Sequence, residues 1–393
     1  MRRQLEGSRA VALTVARCRP EVVCAYPISP QTHIVEALAE LVRSRELTPC
    51  EYLNVESEFA AMSVAIGASA AGARAYTATA SQGLLFMAEA LYNASGLGLP
   101  IVMTVANRAI GAPINIWNDH SDAMSQRDSG WIQLYAQSNQ EAADLHILGF
   151  RLAEQLSTPV MVCMDGFVLT HAVEEVELAE PSQVDAYLPP YQPRQVLDPA
   201  HPVSIGAMVG PEAFLEVRYL AHRTQLRALE VIPALAAEFG EVFGRPSPGL
   251  VSPYRTEDAD LVVVALGSVL GTVQDLVDEL RADGVRIGAL GITAFRPFPV
   301  AAVRAALSYG QRLVVLERAF SVGGGGIVTP DVTSAVSGMD CPLTTVVAGL
   351  GGRPVTRASL RRLLADLPTD PLVFLDLDEA VVARELARTG GVS

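Results

Sequence analysis

The sequence predicts an α/β protein in which helices cover mostly parallel sheets. Short apolar runs of strand length alternate with longer helical stretches along most of the 393 residues, which is the order typical of βα units. Polar clusters follow directly after the strand-like runs, at the edge where open parallel sheets bind ligands. Half of the residues are hydrophobic, so the chain can bury a large core and also large surfaces against partners.

The first predicted unit begins with a helix over residues 7–18 and a buried strand at Val22–Ala25. Pro27 and Pro30 exclude a helix from the loop that follows, because proline lacks an N–H group and restricts the residue before it. Beyond this loop we expect helices at 32–43 and 59–71, and strands at 52–55, 76–79, 101–105 and 160–164.

A bridging excursion is predicted from residue 180 to about 253, where prolines accumulate and a single long helix is expected at about 212–243. A second α/β unit follows, with a helix at 272–283 and strands at 261–266, 285–290, 313–316, 346–348 and 372–375. We therefore predict two domains. The first spans residues 1–245 and carries the bridging excursion (about 180–253), and the second spans residues 254–393.

The composition excludes several classes of protein. All 29 basic side chains are arginine, so lysine-dependent Schiff-base enzymes, Walker A nucleotide sites and protein kinases are excluded. The net charge of −14 argues against nucleic acid or an anionic membrane as a partner. No apolar run reaches the ~18 residues of a membrane span, and arginines interrupt any signal-peptide core near the N-terminus. We expect a cytoplasmic location.

The five cysteines do not predict a metal centre. No two of them form a C-x-x-C pair, so this chain alone is not expected to carry an iron–sulfur cluster or structural zinc. We interpret all five as small buried hydrophobic residues and assign no metal ligand to the chain.

Two charged positions could carry chemistry. Glu58 follows a predicted strand and begins a helix. The cluster Glu56-Ser57-Glu58 has two interpretations. It is either a helix cap with solvated acids, or it provides an acid that exchanges a proton with a bound heterocycle. Arg108 is isolated in an uncharged run. It either forms a structural ion pair or grips a planar carboxylate.

Two further features have both a structural and a functional interpretation. His120 either shuttles protons or binds a metal, or it only forms hydrogen bonds in its polar loop. The glycine run Gly323–Gly326 is either a phosphate-binding loop or a flexible packing loop. It lacks the spacing of the known phosphate-binding motifs.

Taken together, the motifs resemble those of one enzyme family. They are Tyr26-Pro-Ile-Ser-Pro-Gln-Thr32, Val55-Glu-Ser-Glu58, Ala78-Thr-Ala-Ser-Gln-Gly83, Val105-Ala-Asn-Arg108, Asn115-Ile-Trp-Asn-Asp-His-Ser-Asp122, Asp165-Gly-Phe167, Phe243-Gly-Arg245, Leu266-Gly-Ser268 and Arg296-Pro-Phe298. In this combination and order the chain resembles the alpha subunit of the 2-oxoacid:ferredoxin oxidoreductases, pyruvate synthase in particular. The resemblance covers nearly the whole chain.

The resemblance implies a fold and a set of site residues. The fold is a thiamine-diphosphate-binding domain of the pyrimidine type, a doubly wound parallel sheet, followed by a transketolase C-terminal-like α/β domain. Glu58 would hydrogen-bond the cofactor's aminopyrimidine, and Arg108 would pair with the substrate carboxylate. Ser29 would face the substrate, where the family has threonine; this departure leaves the identity of the 2-oxoacid open. The remaining cofactor-binding residues would be Pro30, Ser81, Gln82 and Gly83.

The resemblance also implies partners. The family binds the cofactor's diphosphate and Mg2+ through Gly-Asp-Gly and a later asparagine, whereas this chain has no Gly-Asp-Gly and no asparagine after Asn139. A beta subunit would supply that site, and ferredoxin-like or gamma subunits would carry [4Fe-4S] clusters. The expected assembly is a dimer of such heteromers. With coenzyme A and ferredoxin, such a complex converts a 2-oxoacid into acyl-CoA and CO2.

Three alternatives stay open at this point. The chain could be a beta-type subunit of a 2-oxoacid dehydrogenase E1 component, which passes its acyl group to lipoamide, or a catalytically silent scaffold. The substrate could be pyruvate, a longer 2-oxoacid, phenylglyoxylate or oxalate. The retained Glu58 and Arg108 argue against the scaffold.

Overall fold

The structure, a computed structural model, describes residues 2–388 as two largely parallel sheets and a two-stranded antiparallel ribbon. The strands are β1 (Arg2–Glu6), β2 (Val22–Ala25), β3 (Glu51–Asn54), β4 (Ala75–Thr79), β5 (Val102–Asn107), β6 (Ile132–Tyr135), β7 (Val160–Asp165), β8 (Val173–Glu177), β9 (Val251–Tyr254), β10 (Leu261–Ala265), β11 (Ile287–Ile292), β12 (Ala294–Arg296), β13 (Arg312–Glu317), β14 (Leu343–Val347) and β15 (Leu372–Phe374).

Helices pack on both sheets. They are α1 (Gly7–Arg17), α2 (Thr32–Arg43), α3 (Glu58–Ala70), α4 (Ser81–Phe86), α5 (Ala88–Gly96), α6 (Ser121–Ser125), α7 (Asn139–Leu156), α8 (Pro181–Tyr187), α9 (Phe214–Phe243), α10 (Val269–Ala282), α11 (Val300–Ala305), α12 (Thr329–Ala335), α13 (Arg357–Ala365) and α14 (Glu379–Arg388), with a 3-10 turn at Leu350–Gly352. Within residues 2–388, no helix combines the length and apolar character needed to cross a membrane.

The first sheet has the order β12-β6-β7-β5-β4-β2-β3, and all its pairs are parallel except β12 with β6. The chain moves from β2 outward to β3 and then returns to the opposite side of β2 as β4. The strand order therefore reverses between β2 and β4. A crevice opens at such a reversal, outside the carboxyl ends of the strands.

The second sheet has the order β15-β14-β13-β10-β11-β9, and only β9 is antiparallel to its neighbour. The predicted α/β class with two successive sheets is confirmed. One detail crosses the predicted domain boundary, because β12 follows β11 in the chain but pairs with β6 of the first sheet. The exact boundary at residues 245–254 stays a prediction.

The sequence patterns located most central elements and missed several peripheral strands. The strand at Val22–Ala25 and the helix at Thr32–Arg43 are confirmed residue for residue. The expectation overlooked β1, β6, β8, β9 and β12. The strands β1 and β8 are rich in charge and pair with each other as a ribbon, so their sequences lack the apolar run by which buried parallel strands are recognised.

The two sheets share one hydrophobic core. A single cluster contains Met103 and Trp131 from the first sheet's side together with Val262 and Leu290 from the second sheet. Across this boundary the rings of Tyr135 and Phe295 meet edge to face, with centroids 6.1 Å apart. Because apolar area is removed from water between the sheets, they are held together as one packed body.

A buried ion pair fixes the end of the long helix α9. The guanidinium of Arg245, next to the left-handed Gly244 that ends the helix, donates from Nε and Nη2 to both carboxylate oxygens of Asp144 on α7, at 3.0 and 2.6 Å. The Asp144 side chain is only 3% exposed. Burial raises the pKa of Asp144, and Arg245 opposes this shift.

Arg245→Met is expected to destabilise the chain by about 3–5 kcal/mol, because it leaves a buried carboxylate without its counterion. Thermal and urea unfolding measure this effect. The matched control is Arg286→Met: its bidentate partner Asp260 is 66% exposed, so the loss should stay below about 1 kcal/mol. Equal losses in the two variants would contradict the assigned role of the buried pair.

Candidate active site

The loop after β2 and the end of β5 meet at Arg108. This side chain is 6% exposed, and its Nη1 donates to the carbonyl oxygen of Ser29 at 2.8 Å while its Nε donates to that of Asn115 at 3.3 Å. Within residues 2–388 the guanidinium contacts carbonyls and no carboxylate lies at ion-pair distance. Burial lowers the pKa of Arg108, and the nearby Asp122 opposes that shift. The geometry favours a binding role over a structural ion pair.

Pro30 holds the other end of the same loop. It is buried and packs against Gly166, directly after β7. A Cβ atom at position 166 would lie 2.5 Å from the Pro30 ring and 2.5 Å from the carbonyl oxygen of Asn107. Only glycine therefore permits this close approach of the loop to the ends of β5 and β7.

Glu58 and Gly83 face each other across the crevice. Ser57 caps α3 by accepting a hydrogen bond from the Ala60 amide at 3.1 Å, so the capping interpretation of this cluster is correct. Glu58 is nevertheless buried, at 8% exposure. A Cβ atom at Gly83 would lie 2.6 Å from both Oε1 of Glu58 and Oγ1 of Thr79. The carboxyl group of Glu58 therefore packs directly against Gly83, in a position that a larger residue would disturb.

The turn after β4 has a strained backbone. Ser81 is fully buried and adopts a positive φ of 51°, a conformation that costs a non-glycine residue about 1–3 kcal/mol. Its hydroxyl contacts the side chain of Gln82 and the carbonyl of Ala109. The side chain of Gln82 packs against Gly111. A Cβ atom added at Gly111 would lie 2.8 Å from Nε2 of Gln82. This turn therefore joins the end of β4 to the loop after β5.

Asp122 organises the turn and Arg108 together, and sequence reasoning assigned it no role. Its carboxylate accepts hydrogen bonds from the amides of Ser81, Arg108 and Ala123 and from Nδ2 of Asn107, at 2.7–2.9 Å. Burial raises its pKa to about 6, and the four donors oppose this shift. The available signal was its place at the end of a polar motif that also contains His120.

His120 forms part of a second buried cluster. Its Nε2 donates to Oδ1 of Asp165 at 2.7 Å, and Nη1 of Arg318 donates to Oδ2 at 2.9 Å. The amide of Ser268 donates to the same oxygen at 2.9 Å. The His120 imidazole thus forms a hydrogen bond within the first domain, as the structural interpretation of this residue predicts, and its partner Asp165 binds the second domain. Asp165 and Arg318 were not singled out as a pair because 153 residues separate them.

The loop between Arg108 and His120 rests on the second domain. Nδ2 of Asn115 donates to the carbonyl of Gly351 at 3.1 Å, and the Gly351 amide donates to Asp119 at 2.9 Å. The ring of Trp117 stacks on Phe167, with centroids 4.8 Å apart. The second domain therefore supports the loop that contacts Arg108.

The glycine run of the second domain has a packing role in this structure. Gly323 and Gly325 adopt positive φ angles, and Gly325 pairs with Ser321 in an isolated bridge. A Cβ atom at Gly326 would lie 2.5 Å from Oε1 of the buried Glu317. The packing-loop interpretation is therefore favoured over phosphate binding.

The crevice between β2 and β4 brings together most of the residues predicted from the sequence. Ser29 contacts Arg108, Glu58 faces Gly83, and Asp122 links Arg108 to the turn at Ser81. The structure places these residues at the carboxyl edge of one parallel sheet. An acid and a guanidinium at such an edge suit the binding of a heterocycle and a carboxylate.

Family models match both parts of the chain. Residues 14–236 match the model described as pyruvate flavodoxin/ferredoxin oxidoreductase, thiamine diphosphate-binding. Residues 259–360 match that described as pyruvate:ferredoxin oxidoreductase core domain II. Fold and site thus define an oxidoreductase chain with a thiamine-diphosphate-binding domain.

Relatives that match nearly the whole chain identify the family within this class of oxidoreductases. The chain is 48% identical to pyruvate synthase subunit PorA of Methanosarcina barkeri, over 96% of this chain and 97% of the relative. It is 45% identical to the PorA subunit of Thermotoga maritima, over 92% and 93%. It is 38% identical to ketoisovalerate oxidoreductase subunit VorA of Pyrococcus horikoshii, over 93% and 94%. The chain belongs to the pyruvate:ferredoxin oxidoreductase family.

A solved structure shows the same fold. The 2-oxoglutarate:ferredoxin oxidoreductase from Magnetococcus marinus, with 2-oxoglutarate, coenzyme A and succinyl-CoA bound, superposes with a TM-score of 0.69 at 19% identity. The match covers 93% of this chain but 64% of that one, so this chain spans less than two thirds of its length. The predicted pyrimidine-type domain followed by a second α/β domain is confirmed.

Gly83→Ala is expected to abolish thiamine diphosphate binding by the assembled enzyme, because the new methyl group would lie 2.6 Å from Glu58 Oε1 and Thr79 Oγ1. Calorimetric titration of the assembly with thiamine diphosphate measures this. The matched control is Gly67→Ala in α3, where no atom lies within 4 Å of the added Cβ. Cofactor affinity that is equal in the two variants would show that the close packing of Glu58 on Gly83 is not required for binding.

Proposed function

We propose that this chain supplies the acid and the substrate-binding guanidinium of a heteromeric pyruvate synthase. The reaction converts pyruvate and coenzyme A into acetyl-CoA and CO2, and the two electrons released reduce ferredoxin. The observation that carries the proposal is the presence of a buried acid, Glu58, and a buried guanidinium, Arg108, at the carboxyl edge of the same sheet, in a chain of the pyruvate:ferredoxin oxidoreductase family. We also propose that the enzyme works in the cytoplasm.

The residues around Glu58 fit the aminopyrimidine of thiamine diphosphate. The carboxyl group is buried and packs against Gly83. Oγ1 of Thr79, which packs against the same glycine, is buried and has no hydrogen-bond partner within the described part of the chain. Glu58 would hold a proton against the pyrimidine ring, and Thr79 would offer a further polar contact. When bound, thiamine diphosphate supplies the nucleophilic carbon that attacks the keto group of the substrate.

Arg108 would hold the carboxylate of the 2-oxoacid. Its Nε and Nη1 already donate to carbonyl oxygens, whereas Nη2 has no partner within residues 2–388. The two carbonyl contacts fix the plane of the guanidinium, so less side-chain freedom is lost when a carboxylate binds. The Ser29 backbone contact places the serine of the proline-rich loop beside this group.

Pyruvate is the substrate that the relatives favour. The pyruvate synthase subunits share 42–48% identity with this chain, against 38% for the ketoisovalerate oxidoreductase subunit. Ser29 leaves room for one more methyl group than threonine, and a single methylene in a pocket changes discrimination by only ~1–3 kcal/mol. A longer 2-oxoacid is therefore expected to be a slow but measurable substrate.

Partner subunits would complete the site. The chain lacks Gly-Asp-Gly, so we assign the diphosphate and Mg2+ site to a beta subunit. We assign the clusters to ferredoxin-like or gamma subunits, because no two of the five cysteines in this chain form a C-x-x-C pair. We expect a dimer of such heteromers.

The surface beside Glu58 fits a partner chain. Phe59 and Phe86 contact each other, with ring centroids 6.4 Å apart, and they are 39% and 60% exposed. Trp117 on the neighbouring loop is 53% exposed. Exposed aromatic side chains that lie close together are typical of protein interfaces. We propose that the beta subunit covers these rings and closes the crevice over the cofactor.

Glu58→Gln is expected to abolish turnover, because an amide cannot exchange the proton that the pyrimidine ring requires. The complete complex is assayed with pyruvate, coenzyme A and a viologen dye, and size-exclusion chromatography checks that it still assembles. Glu56→Gln is the matched control, since Glu56 is exposed and should leave the rate unchanged. Full activity of the Glu58 variant would refute the proposed acid.

Arg108→Ala is expected to raise the KM for pyruvate at least tenfold or to abolish activity, since the substrate carboxylate loses its partner. Arg108→Lys should recover part of the loss, because it restores the charge without the planar donor pair. The control is Arg127→Ala, whose guanidinium donates to the carbonyl of Met124. An unchanged KM for the Arg108 variants would rule out the carboxylate role.

A further inference from the structure

Three potential metal ligands meet on the surface beside β1, outside the crevice. Glu6 ends β1, His33 lies in the first turn of α2, and His171 lies between β7 and β8. Their ligand atoms all lie within 4.8 Å of one another. Nδ1 of His33 donates to Oε1 of Glu6 at 2.6 Å, and the two imidazole rings have centroids 4.8 Å apart.

We propose that Glu6, His33 and His171 form a binding site for a divalent transition-metal ion of the Zn2+ type. Two imidazoles and one carboxylate are a donor set that Zn2+ accepts, with water in the fourth tetrahedral position. Zn2+ holds such ligands at about 2.0–2.2 Å, so two of them lie at most about 4.4 Å apart. Small side-chain rotations bring the cluster within that limit.

A hydrogen bond orients the imidazole of His171 for metal binding. Its Nδ1 lies 2.8 Å from Oγ1 of Thr170, a fully buried residue whose hydroxyl oxygen also accepts from the Phe167 amide at 2.8 Å. A hydrogen bond to one ring nitrogen orients the imidazole and leaves the other nitrogen as the ligand atom.

The alternative to a metal ion is a proton shared between His33 and Glu6. That alternative does not explain why the imidazole of His171 also lies beside this carboxylate. The chain contains such a simple pair elsewhere, His201 with Asp198 at 3.1 Å. At the Glu6 cluster, by contrast, two rings converge on one carboxylate from separate elements. A bound cation replaces the shared proton and gives both imidazoles the same partner.

The metal would brace the loop that carries Ser29. His33 follows that loop closely on α2, and the ring of Phe167 contacts both His171 and Trp117, with centroids 4.8 Å away in each case. An ion at the cluster would therefore tie β1, α2 and the segment after β7 together at the margin of the crevice. This role is structural and independent of the reaction.

The test uses the purified full-length chain after removal of metals with a chelator. Calorimetric titration with Zn2+, and absorption spectroscopy with Co2+, are expected to show one saturable site. His33→Ala and His171→Ala should each weaken Zn2+ binding at least tenfold, whereas His201→Ala leaves it unchanged. Zn2+ should also raise the Tm of the wild-type chain and of His201→Ala only.

Two results would overturn the proposal: no saturable binding by the wild-type chain, or affinity for Zn2+ that His33→Ala and His171→Ala leave unchanged. Circular dichroism establishes that each variant is folded. Glu6→Gln provides a further test that preserves side-chain shape, and it should weaken binding to a similar extent. Because binding and Tm are measured without substrate, failure here is distinguishable from failure of the proposed enzyme activity.

Discussion

The relative position of the two domains depends on one buried carboxylate. Asp165 ends β7, and its partners are His120 from the loop before α6 and Ser268 and Arg318 from the second domain. A charge removed from water is tolerated only when it is paired and hydrogen-bonded, so the domains must pack in the one arrangement that satisfies it. Burial alone would raise the pKa of Asp165, but Arg318, His120 and Ser268 hold it well below its usual range. Since the folded pKa is depressed, this stabilisation is complete above the unfolded pKa near 4. It is lost only as the pH falls through the folded value.

The interdomain cluster also positions the crevice, through the segment that contains His120. The His120 amide donates to the carbonyl of Arg318 at 2.8 Å, and Asp122 follows directly and binds the amides of Ser81 and Arg108. The two aspartates are equally buried but differ in their partners. Asp165 faces a guanidinium, whereas the donors to Asp122 are neutral amides, which oppose desolvation less and leave its pKa raised to about 6. The charged pair holds the domains together, and the amide-bound carboxylate shapes the backbone around Arg108.

Sequence patterns predicted the strands, loops and helices whose structure is determined by residues close together in the chain. The run Val22–Ala25, the prolines at 27 and 30 and the periodicity of residues 32–43 determine a strand, a loop and a helix within a short stretch, and all three are where they were expected. Polar residues at strand ends located Glu58, Arg108 and Ser81. The contacts that a single sequence does not reveal are those between distant positions, such as Asp165 with Arg318 or β12 with β6. The cluster of Glu6, His33 and His171 was missed for the same reason, since its members show no recognisable ligand spacing.

The distribution of unsatisfied groups argues for an active site shared between chains. Both carboxylate oxygens of the interdomain Asp165 have partners within this chain, whereas the buried Oγ1 of Thr79 has none within residues 2–388. Buried polar groups are nearly always satisfied in a completed structure. The rings of Phe59 and Phe86 beside Glu58 are exposed, and an apolar partner surface would remove their area from water. In the proposed function, the cofactor ring would satisfy the Thr79 hydroxyl, and the beta subunit would cover the aromatic surface.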